Sequence, residues 1–259
     1  MSDNDFILKA MGINKSFGAV VAANDINIDI KKGERVSLIG SNGAGKTTFM
    51  NMVTGYLKPD AGSIFFKGEN ITDLNPRTIT QKGISRSFQI PQIFEPMTAW
   101  ENLLIALGTS KSNHSYFRDA RSPENSKYID EILDRFSLND FANRQVSELP
   151  GGVRKLLDIA MALVRKPEIL LLDEPTSGVG TEEKYPLMDT IAKALASENL
   201  TVIFVEHDMD IVQNYSDRII AFYQGSVIAD GNSKQVLSDE NVQEHVTGKT
   251  QLKAKSWCY

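Results

Sequence analysis

Apolar and polar residues change rhythm along this chain, and each rhythm predicts a different kind of element. Over the first ~70 residues the pattern is one of short strands punctuated by turns. Phe6–Met11, Asn24–Ile30 and Gly62–Lys67 are candidate strands, and Lys32-Gly33 and Lys58-Pro59-Asp60-Ala61-Gly62 are turn signals. Arg35–Ile39 is rich in β-formers and ends at a glycine loop, from which Thr47–Thr54 continues as a helix. Between Met97 and Val164 the spacing becomes helical. Trp100–Leu107 is mostly apolar, Gly108–Asn125 reads as a polar loop, and Tyr128–Phe136 has helical spacing. Val153, Leu156, Leu157, Ala160, Leu163 and Val164 form one buried helical face. Strand and helix then alternate: strand Ile169–Leu172, helix near Lys184–Ala196, strand Thr201–Val205, helix near Met209–Tyr215, strand Arg218–Tyr223. Such alternation predicts a parallel sheet covered by helices. The expected fold is α/β, its sheet core interrupted by a helical subdomain near 90–160.

Composition narrows this picture. The chain has 259 residues, 41% of them hydrophobic, enough for one large α/β unit or two subdomains and too apolar for a disordered chain. With 28 Lys+Arg against 33 Asp+Glu the net charge is −5, which argues against a general nucleic-acid binder. Cys258 is the lone cysteine, so no internal disulfide is expected and a reducing compartment fits. Met1-Ser2-Asp3-Asn4-Asp5 is acidic where a secretory signal is basic and then apolar. The greasiest runs, Ile169–Leu172 and Val202–Val205, fall far short of the ~20 residues that cross a bilayer, so any membrane role is expected to fall to a partner.

The chemistry is concentrated in a few places. Gly40-Ser41-Asn42-Gly43-Ala44-Gly45-Lys46-Thr47 fits G-x-x-x-x-G-K-[ST], with Thr48 following, between an expected strand and an expected helix. Its glycines let backbone N–H groups turn toward one anion and the helix adds its positive end. Lys46 can reach β- and γ-phosphates, and the Thr47 hydroxyl can ligate Mg²⁺. Ile169–Leu172 leads to Asp173 and Glu174 at a strand's carboxyl end, where Asp173 can meet that metal and Glu174 can polarise an attacking water. Thr201–Val205 similarly delivers Glu206, His207 and Asp208, and a histidine there can hold a γ-phosphate for in-line attack. His114 and His245 read as structural.

Together with Leu149-Pro150-Gly151-Gly152-Val153 ahead of a helix, these motifs resemble an ABC-transporter ATPase subunit, in the right order over nearly the whole chain. Ile84–Gln89, Phe94–Asn102 and Glu206–Met209 are most similar to ATPases of branched-chain amino-acid importers. The resemblance implies a P-loop NTPase core with a parallel sheet, an N-terminal antiparallel β part and an inserted helical subdomain. It divides the chain into a RecA-like core at 1–89 and 161–247, a helical subdomain at 90–160 and a tail at 248–259. It implies ATP and Mg²⁺ as cofactors and ATP hydrolysis as the activity. Phe17 matches the aromatic that stacks on adenine. Gln89 matches the glutamine that touches Mg²⁺ and the attacking water. Glu174 matches the catalytic carboxylate, His207 the switch histidine, and Leu149–Val153 the signature loop that caps ATP on the opposite subunit.

The implied partners are membrane permease subunits, gripped through the helical subdomain after Gln89, a second ATPase subunit, and indirectly a solute-binding protein. The implied place is the cytoplasmic face of the membrane. Two positions depart from the family pattern. Pro150 stands where the signature has serine, with Val153 for its glutamine, and Gly180 ends a loop that usually closes in aspartate. Proline lacks both a hydroxyl and an N–H. Both departures lie on surfaces offered to the partner, which favours a heterodimer over a homodimer; in the competing reading, backbone N–H groups of Gly151 and Gly152 hold phosphate unaided. Alternatives for the whole chain are a lipid or lipopolysaccharide export ATPase, a soluble ABC protein and a P-loop kinase. The last leaves His207 and the Leu149–Val153 loop unexplained.

Overall fold

The computed structural model describes residues 6–109, 122–196 and 200–248. His114, most of the expected Gly108–Asn125 loop, and the tail with Trp257 and Cys258 lie outside them.

Two sheets organise the chain. The first is antiparallel and takes in β1 (Phe6–Phe17), β2 (Val20–Lys31), β4 (Ala61–Phe66) and β5 (Glu69–Asn70), in the order β2-β1-β4-β5. The first strand runs six residues beyond its expected end at Met11 because Gly12 adopts a left-handed φ of 60°. The register shifts between Ala10 and Ile13, and a glycine in this conformation lets a strand bulge and continue. The Gly12 N–H then donates to Asn27 Oδ1 at 2.8 Å instead of to the ladder.

The second sheet holds β3 (Arg35–Gly40), β6 (Ile84–Ser87), β7 (Ile169–Asp173), β8 (Thr201–Val205), β9 (Arg218–Tyr223) and β10 (Ser226–Gly231), in the order β10-β9-β3-β8-β7-β6. All neighbours are parallel except β10, which turns back on β9. The apolar runs 169–172 and 202–205 are buried throughout, as expected of strands covered on both faces.

The α-helices among the described residues are α1 (Lys46–Val53), α2 (Pro76–Lys82), α3 (Ala99–Gly108), α4 (Pro123–Arg135), α5 (Gly151–Leu163), α6 (Thr181–Ala196), α7 (Met209–Tyr215), α8 (Ser233–Ser238) and α9 (Glu240–Val242). α3 begins with a capping box, Thr98 Oγ1 accepting from the Glu101 N–H while Glu101 accepts from the Thr98 N–H. α4 starts at Pro123 under a Ser122 cap, so its first turn occupies residues expected to be loop. α6 starts at Thr181 rather than near Lys184, with Glu182 and Glu183 in its first turn, where carboxylates complement the helix dipole.

The apolar side chains of α3, α4 and α5 share one cluster with those of α6, β7 and β8, including Leu103, Ile132, Phe136, Leu157, Leu172, Ile191 and Phe204. A second cluster fills the space between the two sheets around Phe49, Met50, Leu38 and Ile64. The helical segment thus rests against the same sheet that carries the chemistry. His245 stacks face to face on Tyr223 at 4.3 Å.

Candidate functional site

The site lies along the carboxyl ends of β3, β7 and β8, where a parallel sheet directs the polar residues that follow its strands. Leaving β3, the chain turns through Gly40–Gly45 and enters α1. Gly40 has φ 151° and Gly45 φ 109°; a Cβ on Gly40 would sit 2.5 Å from the Phe222 carbonyl oxygen, and one on Gly45 2.5 Å from that of Ala22. Only glycine fits these two close approaches. No side chain caps the amino end of α1, so its first N–H groups face outward as anion donors.

Lys46 is 5% exposed, and its Nζ donates to the carbonyls of Gly40 at 2.7 Å and Ser41 at 3.1 Å. Burial lowers the ammonium pKa, and the carboxylates of Glu174 and Asp173 oppose that shift. The lysine therefore sits in the field of the two acids that end β7.

Those two acids have different surroundings. Asp173 is buried, and its Oδ2 accepts from Arg86 Nη2 at 2.6 Å. Arg86 also donates from Nη1 to Asn51 Oδ1 at 2.6 Å, and its guanidinium lies 4.8 Å from the Phe88 ring. Glu174 adopts a left-handed backbone, φ 47°. A side chain pays for that conformation, and such strain collects at functional positions. Its carboxylate is held from both sides: Gln89 Nε2 donates to Oε2 at 2.7 Å, and His207 Nε2 lies 3.0 Å from Oε1. Glu206, the residue before His207, is buried and accepts from the Thr176 N–H at 2.9 Å and the Thr176 hydroxyl at 2.7 Å. It ties the loop after β7 to the loop after β8.

The sequence-predicted residues thus divide into groups. Lys46, Asp173, Glu174, Gln89 and His207 come together at one sheet edge. Thr47 is exposed at the start of α1, and Thr48 follows it. Thr47 and Asp173 offer hard oxygen donors, and no described residue donates a hydrogen bond to Asp173 Oδ1; this donor set fits Mg²⁺, which takes few protein ligands beside phosphate oxygens. Phe17 is 51% exposed at the end of β1, with Lys15 Nζ 5.6 Å from its ring. The same hairpin leads to Ala22, whose carbonyl packs on Gly45. Pro150, Gly151 and Gly152 open α5 with no side-chain cap, and a Cβ on either glycine would meet nothing within 4 Å. Among the described residues no hydrogen bond joins them to the phosphate loop, and Gly180 is likewise exposed in the loop before α6. Sequence reasoning missed Arg86 and Glu206 as positioning groups. Arg86 left no signal, whereas Glu206 could have been suspected as the acid directly following an apolar strand.

A phosphate-binding loop after β3, two acids at the end of β7 and a histidine just after β8, the strand between them, define a nucleotide-binding P-loop protein of the ATPase type. Residues 23–177 match the family model described as ABC transporter. The chain belongs to this family and is an ATP-binding subunit of an ABC transporter. It is 37% identical over 243 residues to the high-affinity branched-chain amino acid transport ATP-binding protein BraF of Pseudomonas aeruginosa, covering 91% of this chain and 95% of that one. Among solved structures it resembles a nucleotide-free ATP-binding cassette from an ABC transporter, with TM-score 0.81 and 33% identity over 92% of this chain and 98% of that one. It also resembles a dimeric ATP-binding cassette in a post-hydrolysis state with ADP and Pi, with TM-score 0.75 and 27% identity over 87% of this chain and 98% of that one.

Proposed function

We propose that this chain hydrolyses ATP to ADP and phosphate and so drives membrane transport of branched-chain amino acids or related solutes. The carrying observation is Glu174, strained, flanked by Gln89 and His207, and one residue from buried Asp173. In this reading the glycine-loop N–H groups of 40–45, Lys46 and Thr48 bind the phosphates, and Phe17 stacks on the adenine. Thr47, Asp173 and Gln89 hold Mg²⁺, which neutralises phosphate charge when bound. Glu174 takes a proton from water as its oxygen attacks the γ-phosphorus in line. The bond from that phosphorus to the β–γ bridging oxygen breaks, and ADP leaves. His207 and Gln89 orient the carboxylate and the γ-phosphate.

The core of 1–89 and 161–247 is the hydrolytic part, and 90–160 carries the signature loop and meets the permease. Among the described residues no helix is long and apolar enough to cross a membrane; in this reading permease subunits hold the chain at the cytoplasmic face. The dimeric cassette supports a second ATPase subunit. Pro150 and Gly180 favour a different chain there, one whose own signature completes the site over this chain's phosphate loop. A solute-binding protein acts through the permease. The test is uptake of labelled leucine, isoleucine and valine by cells with and without this chain. Loss of uptake, restored by the wild-type chain and not by Glu174→Gln, is expected; unchanged uptake overturns the solute assignment.

A further inference from the structure

Gln89 stands in a segment with little structure of its own. β6 ends at Ser87, and among the described residues the backbone groups of 88–92 make no hydrogen bond to another backbone group. A loop so poorly paired does not hold a side chain against Glu174 by itself. The partners come instead from α5, the helix that begins at Gly151. Asp158 accepts from the Ser87 hydroxyl at 2.5 Å and the Phe88 N–H at 3.2 Å through Oδ2, and from the Gln92 N–H at 2.8 Å through Oδ1. Lys155 Nζ donates to the carbonyls of Gln89 at 2.5 Å and Phe88 at 3.4 Å. The two residues are spaced i, i+3 on one helix face and are 3% and 5% exposed, opposite charges that take the loop's donors and acceptors separately.

We infer that Lys155 and Asp158 are positioning residues for hydrolysis, a two-point clamp by which the helix starting at the signature loop sets Gln89 against Glu174. Asp158 fixes where the loop begins and ends, and Lys155 fixes the peptide of Gln89 itself. The side chain then reaches Glu174 Oε2 at 2.7 Å. Movement at the head of α5 is thereby transmitted to the carboxylate that activates water. This inference rests on the ATPase reading above. Two charges serving only to pack α5 would stabilise the helix and leave Gln89 indifferent.

Two measurements on the full chain separate these roles. The first is amide hydrogen exchange without nucleotide. Asp158→Ala and the milder Asp158→Asn should deprotect the 88–92 segment by about tenfold or more while β7 and β8 keep wild-type protection. The second is a cycle of Lys155→Met with Gln89→Ala in steady-state ATP hydrolysis. Lys155→Met alone should lower kcat on the order of tenfold with KM for ATP little changed, and Lys155→Arg should restore most of the rate. In the Gln89→Ala background the same substitution should cost almost nothing further, because it acts through Gln89. Unchanged exchange at 88–92, or an equal loss in both backgrounds, overturns the clamp. Deprotection at 88–92 in Asp158→Ala but not in the wild-type chain, with a wild-type chain that hydrolyses no ATP, would support the clamp and count against the ATPase reading.

Discussion

Replacing Arg86 by methionine removes a buried cation while keeping much of the side chain's bulk. The Arg86 and Asp173 side chains are 5% and 7% exposed, and their charged atoms are 2.6 Å apart. At an effective dielectric near 20 the attraction at that distance is about 6 kcal/mol, most of it offset by removing two ions from water. The net value of the pair is therefore small, but the cost of breaking it is not. Arg86→Met leaves the Asp173 carboxylate buried without its counter-charge and Asn51 Oδ1 without its donor, a change worth about 3–5 kcal/mol. At about 2–4 °C per kcal/mol for a chain of about this size, the expected fall in Tm is about 6–20 °C, read by far-UV circular dichroism without nucleotide. Adding Asp173→Asn should recover more than half of that loss, since no uncompensated buried charge then remains. A Tm within about 2 °C of wild type for Arg86→Met would refute the reasoning, because a buried pair cannot be broken so cheaply.

Other substitutions test the nucleotide site and the partner surface. Gly45→Ala places a Cβ 2.5 Å from the Ala22 carbonyl oxygen at φ 109°; it should weaken ATP binding by about tenfold or more in calorimetry, consistent with about 1–3 kcal/mol of strain. Phe17→Ala should cost ATP affinity about 1–3 kcal/mol, and Phe17→Trp should retain it. Pro150→Ser combined with Val153→Gln and Gly180→Asp should raise ATP turnover of the chain alone by about tenfold or more, as one regained donor to a charged transition state can; no gain would favour backbone groups as sufficient.

Much of the fold could be read from the sequence because hydrophobic periodicity is strong where both faces are buried. β7 and β8 are uninterrupted apolar runs, and α5 shows its stripe openly. β6 was missed because Ile84-Ser85-Arg86-Ser87 has one apolar residue. It pairs with β7 along only one edge, and its polar side chains are buried by contacts from far along the chain. α2 has a local start signal in Asn75 followed by Pro76, with Asn75 Oδ1 accepting from the Thr78 N–H at 3.0 Å. At the site, the phosphate loop and the acids of β7 were legible as local motifs. Arg86, Lys155, Asp158 and Glu206 were not, since each matters only through a partner 30 or more residues away, as Thr176 is for Glu206. Local spacing cannot show pairing of that kind.

The central claim is that Glu174 activates the water that attacks bound ATP. ATP affinity and turnover should be measured side by side for the wild-type chain and Glu174→Gln, which keeps the side chain's size and its contact with His207 while removing the base. Turnover of Glu174→Gln should be lower on the order of 10²–10³-fold, with ATP affinity nearly unchanged. Wild-type turnover by Glu174→Gln would contradict the claim.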